Sequence, residues 1–204
     1  MNRTCVNLAT VVLLCAVSVL AQAAPLTNLV VNGSMNYTGG QLTGWTLINP
    51  TGESWNAFQP GNPSPDGGSN FGIQDLDNFA PRKNAVGISQ VIDNLVVGGH
   101  YELSFYSNEE HTNPNFLAQW QVSFGNQTQL STLTDTAWVG DVMHFTASSS
   151  SQTLSFIANF LPGALPQILN IDGVSLAPVP VPAAAWLFVP ALLGMAGLAR
   201  RQSF

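Results

Sequence analysis

The chain has almost no cysteine and almost no positive charge. Its two cysteines, Cys5 and Cys15, both fall in the first 15 residues. The remainder has no thiol, which excludes disulfides, thiolate metal ligands and cysteine nucleophiles there. Lys and Arg number five against eleven Asp and Glu. Three of the five are Arg3, Arg200 and Arg201, which leaves Arg82 and Lys83 for the whole interior. That argues against nucleic-acid binding, whose affinity rests on Lys and Arg neutralising phosphate. No Gly-x-Ser-x-Gly elbow and no Gly-x-x-x-x-Gly-Lys loop occurs, so serine-hydrolase and nucleotide readings have no support. No stretch of ten interior residues shows helical periodicity.

What is present at the N-terminus is a short positive segment, Asn2-Arg3-Thr4, then an apolar run from Val6 to Leu20 and a small-x-small site, Ala21-Gln22-Ala23. This pattern predicts a signal peptide over 1–23, removed on export. At the other end, Pro178, Pro180 and Pro182 alternate with Val or Ala and impose an extended, hydrogen-bond-poor strip. Residues 183–199 carry no charge. As a helix they span roughly 25 Å at about 1.5 Å per residue, the short end of what crosses a bilayer. Trp186 suits the outer membrane interface, and Arg200-Arg201 the cytoplasmic side. The expectation is a transmembrane helix over 183–199, with the body outside the cytoplasm.

The order Val179-Pro180-Val181-Pro182-Ala183-Ala184-Ala185-Trp186-Leu187-Phe188, then Leu192-Leu193-Gly194-Met195-Ala196-Gly197-Leu198, then Arg200-Arg201, resembles the PEP-CTERM sorting signal in its VPLPA variant. Two departures are Val181, where the parent motif has glutamate, and Val189-Pro190, where a small-residue step is usual. The resemblance implies a sorting segment over 178–204, processed by a membrane protease of the exosortase type in a Gram-negative, exopolysaccharide-producing bacterium. It places the protein in the membrane or cell envelope, with release to the extracellular matrix as the later step.

The body, 24–177, has the size of one domain. Short apolar runs recur between turn signals: Leu29–Val31 before Asn32-Gly33, Trp45–Ile48 before Asn49-Pro50, then alternating runs around Val86–Leu95, Tyr101–Tyr106, Trp120–Phe124, Val142–Thr146, Leu154–Ala158 and Leu169–Leu176. The Pro- and Gly-rich stretch from Gly52 to Gly72 reads as irregular. Many short strands at regular spacing predict an all-β fold, a single jelly-roll or β-sandwich domain. The segments Asn28–Ser34 with Gly44-Trp45, Val86–Gln90 with Val97–Phe105, and Ile171–Leu176 resemble the opening, central hairpin and closing strand of galactose-binding-like β-sandwiches, many of them carbohydrate-binding modules.

That resemblance implies a structural calcium between first and last strands, with Asp172 and Asn36 at the two ligand positions. Asn36 stands where an acid is typical, and the alternative for Asp172 is a turn residue before Gly173. Trp55 and Phe58 are the expected glycan-stacking residues, against a role packing their loop on the sandwich edge. Asp75 and Asp77 make a carboxylate pair, read as solvated loop, as a second calcium site or as an acid/base pair. Glu109-Glu110-His111, with His100 or His144, is the densest polar cluster, but no His-x-x-x-His spacing supports zinc. The expected function is that of an exported, non-enzymatic surface or biofilm-matrix protein engaging exopolysaccharide. The alternatives are a secreted glycan-active hydrolase using the loop carboxylates, and a structural surface module without ligand.

Overall fold

The computed structural model describes residues 27–38, 41–48, 55–58, 64–75, 85–110, 118–160 and 167–180. All belong to one compact unit, Pro25–Pro180. The expected signal peptide, the helix over 183–199 and the motif residues Val181, Pro182, Ala183, Trp186, Arg200 and Arg201 lie outside the described residues, as do Asp77 and His111. Every regular element among the described residues is a strand, and none of them is a helix long and apolar enough to cross a membrane.

Two five-stranded antiparallel sheets form a sandwich. We call them front and back. The front sheet runs β10-β7-β12-β5-β4, where β10 is Val139–Thr146, β7 His100–Glu110, β12 Gln167–Pro178, β5 Phe71–Asp75 and β4 Trp55–Phe58. The back sheet runs β3-β6-β11-β8-β9, from Thr46–Ile48, Gly87–Ile92, Gln152–Phe160, Ala118–Phe124 and Gln127–Leu130. A two-stranded ribbon, β1 (Tyr37–Thr38) with β2 (Gln41–Leu42), completes the set.

The period-two alternation read from the sequence sorts the strands' faces. Leu103 and Phe105 of β7, Met143 and Phe145 of β10, Trp120, Val122 and Phe124 of β8, and Leu154 and Phe156 of β11 all point into one core. Phe156 is its hub, with ring centroids 5.2 Å from Phe105, 6.0 Å from Trp45 and 6.2 Å from Trp120. These edge-on pairs link the two sheets, since Phe105 comes from the front and Phe156 from the back.

Two stretches differ from the sequence expectation. Leu29–Val31 is not a strand; the Leu29 N–H donates to the Leu176 carbonyl (2.8 Å), and side-chain amides serve Val30 and Val31. Gln90, buried on β6, accepts from the Val31 N–H (2.8 Å) and donates to the Val31 and Gly44 carbonyls (2.9 and 2.8 Å). Asn28 accepts from the Leu176 N–H (3.0 Å) and donates to the Val174 carbonyl (3.0 Å), which fastens the start of the body to β12. Gly33 is needed here, because a Cβ would lie 2.0 Å from the Val174 oxygen. Second, Trp55–Phe58 is not loop but β4, paired with β5 at the sheet edge.

One edge of the sandwich is closed by glutamines. Gln127 of β9 donates to the Thr146 carbonyl (2.5 Å) and accepts from the Thr146 N–H (3.2 Å), and Gln129 donates to the His144 carbonyl (2.8 Å). The back sheet's edge strand thus satisfies the exposed backbone of β10, the front sheet's edge strand.

Candidate functional site

Pairing of β7 with β12 gathers a polar cluster on the outer face of the front sheet. Asn108 stands opposite Asn170, Glu110 opposite Ile168 and Tyr106 opposite Asp172; on the far side of β12, Gln74 stands opposite Ile168. The Asn170 side-chain amide donates to Asn108 Oδ1 (2.9 Å) and to Glu110 Oε1 (3.0 Å). Both asparagines are fully buried. Asn170 Oδ1 has no partner among the described residues. A buried acceptor left without a donor is uncommon in native proteins, and one closed to solvent suits an internal water. The backbone under this cluster is held from the core side, where Trp120 Nε1 donates to the Asn170 carbonyl (3.2 Å).

Next to the amides lies an aromatic group. Tyr106 is 37% exposed. It is wedged between two glycines: a Cβ on Gly173 would lie 2.9 Å from its Cδ2, and one on Gly140 would lie 3.2 Å from its Cε1. Gly173 has φ +61 and sits in the irregularity between Asp172 and Ser175. The bulge and the paired glycine clear room for the ring on the sheet surface.

Trp138 joins from the segment before β10. That segment is tied down at several points. Asp141 Oδ1 accepts from the Thr132 N–H and hydroxyl (2.9 and 2.8 Å). The Glu109 N–H donates to the Asp135 carbonyl (2.9 Å), and Asn108 donates to the Thr136 carbonyl (3.2 Å). Trp138 precedes Val139, which stands opposite Ser107. It is half-buried, and its indole N–H is buried without a partner among the described residues.

The remaining sequence candidates fall as follows. Phe58 stands opposite Gly72 and Trp55 opposite Asp75 in register, on the edge strand of the same sheet. Glu109 and Glu110 are neighbours on β7 and so project to opposite faces; Glu109 is fully buried opposite Leu169, Glu110 half-buried on the outer face. His100 and His144 are exposed, with His100 Nδ1 3.1 Å from the Thr146 hydroxyl. Among the described residues no three His, Cys, Asp or Glu group together as a metal set. Val179 and Pro180 are exposed just past β12, with the Val179 N–H donating to the His100 carbonyl (2.8 Å).

Asp172 is fully buried. Its Oδ2 accepts from the Ser64 hydroxyl, and its Oδ1 has no partner among the described residues. Burial raises its pKa above the ordinary value and the nearby Asp66 charge adds to that, against the lowering effect of the Ser64 hydroxyl and the Gly173 N–H. Asn36 is exposed, and both its backbone N–H and its carbonyl are bonded to the Asn32 side chain (2.8 and 2.9 Å). No described contact joins Asn36 to Asp172. The oxygen-rich neighbours of Asp172 are Ser64 and Asp66 instead.

No protein-family model matches the sequence, and no curated protein matches it either. The fold does have solved counterparts. A CBM22 xylan-binding domain of a Paenibacillus barcinonensis xylanase superposes with a TM-score of 0.51 at 15% identity, covering 78% of this chain and 99% of that one. A family 16 carbohydrate-binding module gives 0.49 at 17% identity, covering 74% and 99%. A CBM61 module solved with β-1,4-galactotriose gives 0.48 at 15% identity, covering 75% and 99%. The likeness to the CBM22 domain shows that the body has a β-sandwich fold of the kind found in carbohydrate-binding modules.

Proposed function

We propose that the body is a non-catalytic module that binds a neutral, extended polysaccharide on the outer face of the front sheet. The observation that carries this is the exposed Tyr106 side chain on the same outer face as half-buried Glu110, whose Oε1 the buried Asn170 amide holds in place. A sugar ring offers an apolar C–H face and a rim of hydroxyls. An aromatic ring suits the face, and fixed amide and carboxylate oxygens accept from the rim. Glu110 and Gln74, both half-buried, extend the polar contacts along the sheet. Neutral glycans are favoured because the described part of this face offers Glu102 and Glu110 but no Lys or Arg. An anionic polymer would meet like charge.

The same proposal includes export and sorting. The N-terminal apolar segment and the Pro-x-Pro, apolar, Arg-Arg order of the tail support an exported protein held at the envelope and processed by an exosortase-type protease, with the exopolysaccharide of its own matrix as ligand. A structural calcium at Asp172 belongs to it as well. The unpartnered buried Oδ1, with Ser64 and Asp66 beside it, is an all-oxygen setting that suits a hard cation.

The test uses Pro25–Pro180, the unit with its own core, against the producing strain's exopolysaccharide and a panel of neutral and acidic glycans. The expected result is saturable binding of a neutral glycan without product release, weakened about tenfold or more by Tyr106→Ala and by Asn170→Ala, roughly 1.4 kcal/mol per tenfold. Absence of binding, or binding that ignores both substitutions, overturns the proposed site. For sorting, the full chain should stay with the envelope, and a chain ending at Ala177 should appear in the medium.

A further inference from the structure

One end of the sandwich is built from three short connections and the exit of the chain. The connections are 93–99 between β6 and β7, 125–126 between β8 and β9, and 147–151 between β10 and β11. Backbone bonds tie the first to the third: the Leu95 N–H donates to the Ser150 carbonyl (3.0 Å), the Gly98 N–H to the Ala147 carbonyl (2.7 Å) and the Ala147 N–H to the Gly99 carbonyl (2.9 Å). The chain leaves β12 at the same end, where the Val179 N–H donates to the His100 carbonyl. Asp93 is the one charged residue in the three connections. At the tip of the first stand Val96 and Val97, 69% and 64% exposed. The turn that presents them is fixed. The Gly99 N–H donates to the Val96 carbonyl (2.8 Å), Gly98 takes φ +78, and the Val96 N–H donates to the hydroxyl of buried Tyr101 (2.8 Å). This is the pattern of a type II turn, which demands glycine at Gly98 but no apolar side chain at Val96 or Val97. Two adjacent valines are thus held out to solvent on a rigid support.

We infer that this end of the body rests on a bilayer surface of neutral lipid, with Val96 and Val97 set into the interface. What brings the end to a bilayer is the tail, so the inference rests on the reading of 183–199 as a membrane-spanning segment. The chain itself selects this occupant. The uncharged run over 183–199 begins three residues after Pro180, and three residues reach at most about 11 Å. Val97 lies three residues from His100, the residue bonded to Val179, and so within a similar distance of the exit. Val179, 38% exposed, adds a third apolar side chain there. Charge agrees with the assignment. The connections offer one carboxylate and no Lys or Arg, so nothing at this end attracts an anionic headgroup and little opposes a neutral one. Two valines are too small an anchor for a free protein, but a tether turns their insertion into an intramolecular step at high effective concentration. The strands then stand up from the membrane. The outer face of the front sheet points sideways, open along its length to a polymer lying outside the bilayer.

The test replaces the tail with a neutral tether. The unit Pro25–Pro180 carries a histidine tag after Pro180 and is bound to phosphatidylcholine vesicles containing a nickel-chelating lipid. The unit has no cysteine, so Val97→Cys takes a polarity-sensitive dye at one place. The expected result is a blue-shifted emission, quenched about twofold or more by spin-labelled lipid. The same dye on Val91→Cys or Val142→Cys, each 61% exposed on a sheet strand, should stay unquenched. Val96→Asp added to Val97→Cys should remove the quenching; its backbone bond to Tyr101 is kept, so the melting temperature should hold. Should that variant fail to fold, Val96→Ser serves in its place. A dye at Val97 no more quenched than at Val91 and Val142 overturns the inference, and so does quenching indifferent to the change at Val96. Alkaline washing of vesicles that carry the full chain tests the tail separately. A full chain that washes off, beside a tagged unit quenched at Val97, sinks the membrane-spanning reading and leaves the lipid contact standing. A full chain that resists washing, beside a tagged unit unquenched at Val97, does the reverse.

Discussion

Asp172 sits in a place that disfavours its charge. Its folded pKa lies above the ordinary 3.8 because burial outweighs the Ser64 and Gly173 hydrogen bonds. A native state that binds the proton more tightly than the unfolded chain loses stability as pH rises. The contribution is therefore fully present below 3.8 and lost as pH climbs through the raised folded value. Asp172→Asn should be more stable than wild type at neutral pH without metal, and the two melting temperatures should converge in acid. A wild type that matches the variant at every pH would show that Asp172 carries no such penalty. Calcium distinguishes the cation proposal on the same pair: it should raise the wild-type Tm and leave Asp172→Asn unmoved. A second residue-scale expectation concerns Gly140. Its added Cβ meets the Tyr106 ring at 3.2 Å and no backbone, so Gly140→Ala should weaken glycan binding several-fold while the melting temperature hardly changes.

Among the elements, the start of the body and β12 depend on each other. Gly33→Ala forces a methyl group to within 2.0 Å of the Val174 carbonyl oxygen. Overpacking of this kind costs about 1–3 kcal/mol, or about 2–4 °C per kcal/mol for a unit of this size. Thermal melts of the variant check it. Gln127→Leu should likewise destabilise, by roughly 1–3 kcal/mol, because it strips Thr146 of both backbone partners at the β10 edge. The strands that alternate cleanly, such as Trp120–Phe124 and Leu154–Ala158, were legible in the sequence because a half-buried strand writes its period directly. Leu29–Val31 looked the same and was not a strand, since its hydrogen bonds go to the adjacent Asn28 side chain and to Gln90 and Leu176, both remote in sequence. β4 was hidden by the prolines after it. The candidate site was the least legible part. Asn108 and Asn170 are 62 residues apart, and only the β7–β12 register makes them neighbours. Glu110 stood out as part of a polar cluster, but nothing local told that its neighbour Glu109 faces the core.

For the molecule as a whole, the distribution of charge says more than its total. The carboxylates that lie on strands belong to the front sheet, and the back sheet has none. Affinity for a neutral polysaccharide should stay flat as ionic strength is raised, because no ion pair forms. An acidic polysaccharide should bind only as salt screens the repulsion. An affinity that falls with salt would point instead to a cationic ligand. Strand β12 then acquires a mechanical meaning. It is central in the front sheet, bonded to β7 along one side and to β5 along the other, and it leads directly into Val179-Pro180. A pull applied through the C-terminal tail acts along this strand. Antiparallel bonds on both flanks, with the Asn28 clamp beside them, resist as one group loaded in shear instead of opening one after another. A body tethered at that end in moving fluid would be held by its strongest element.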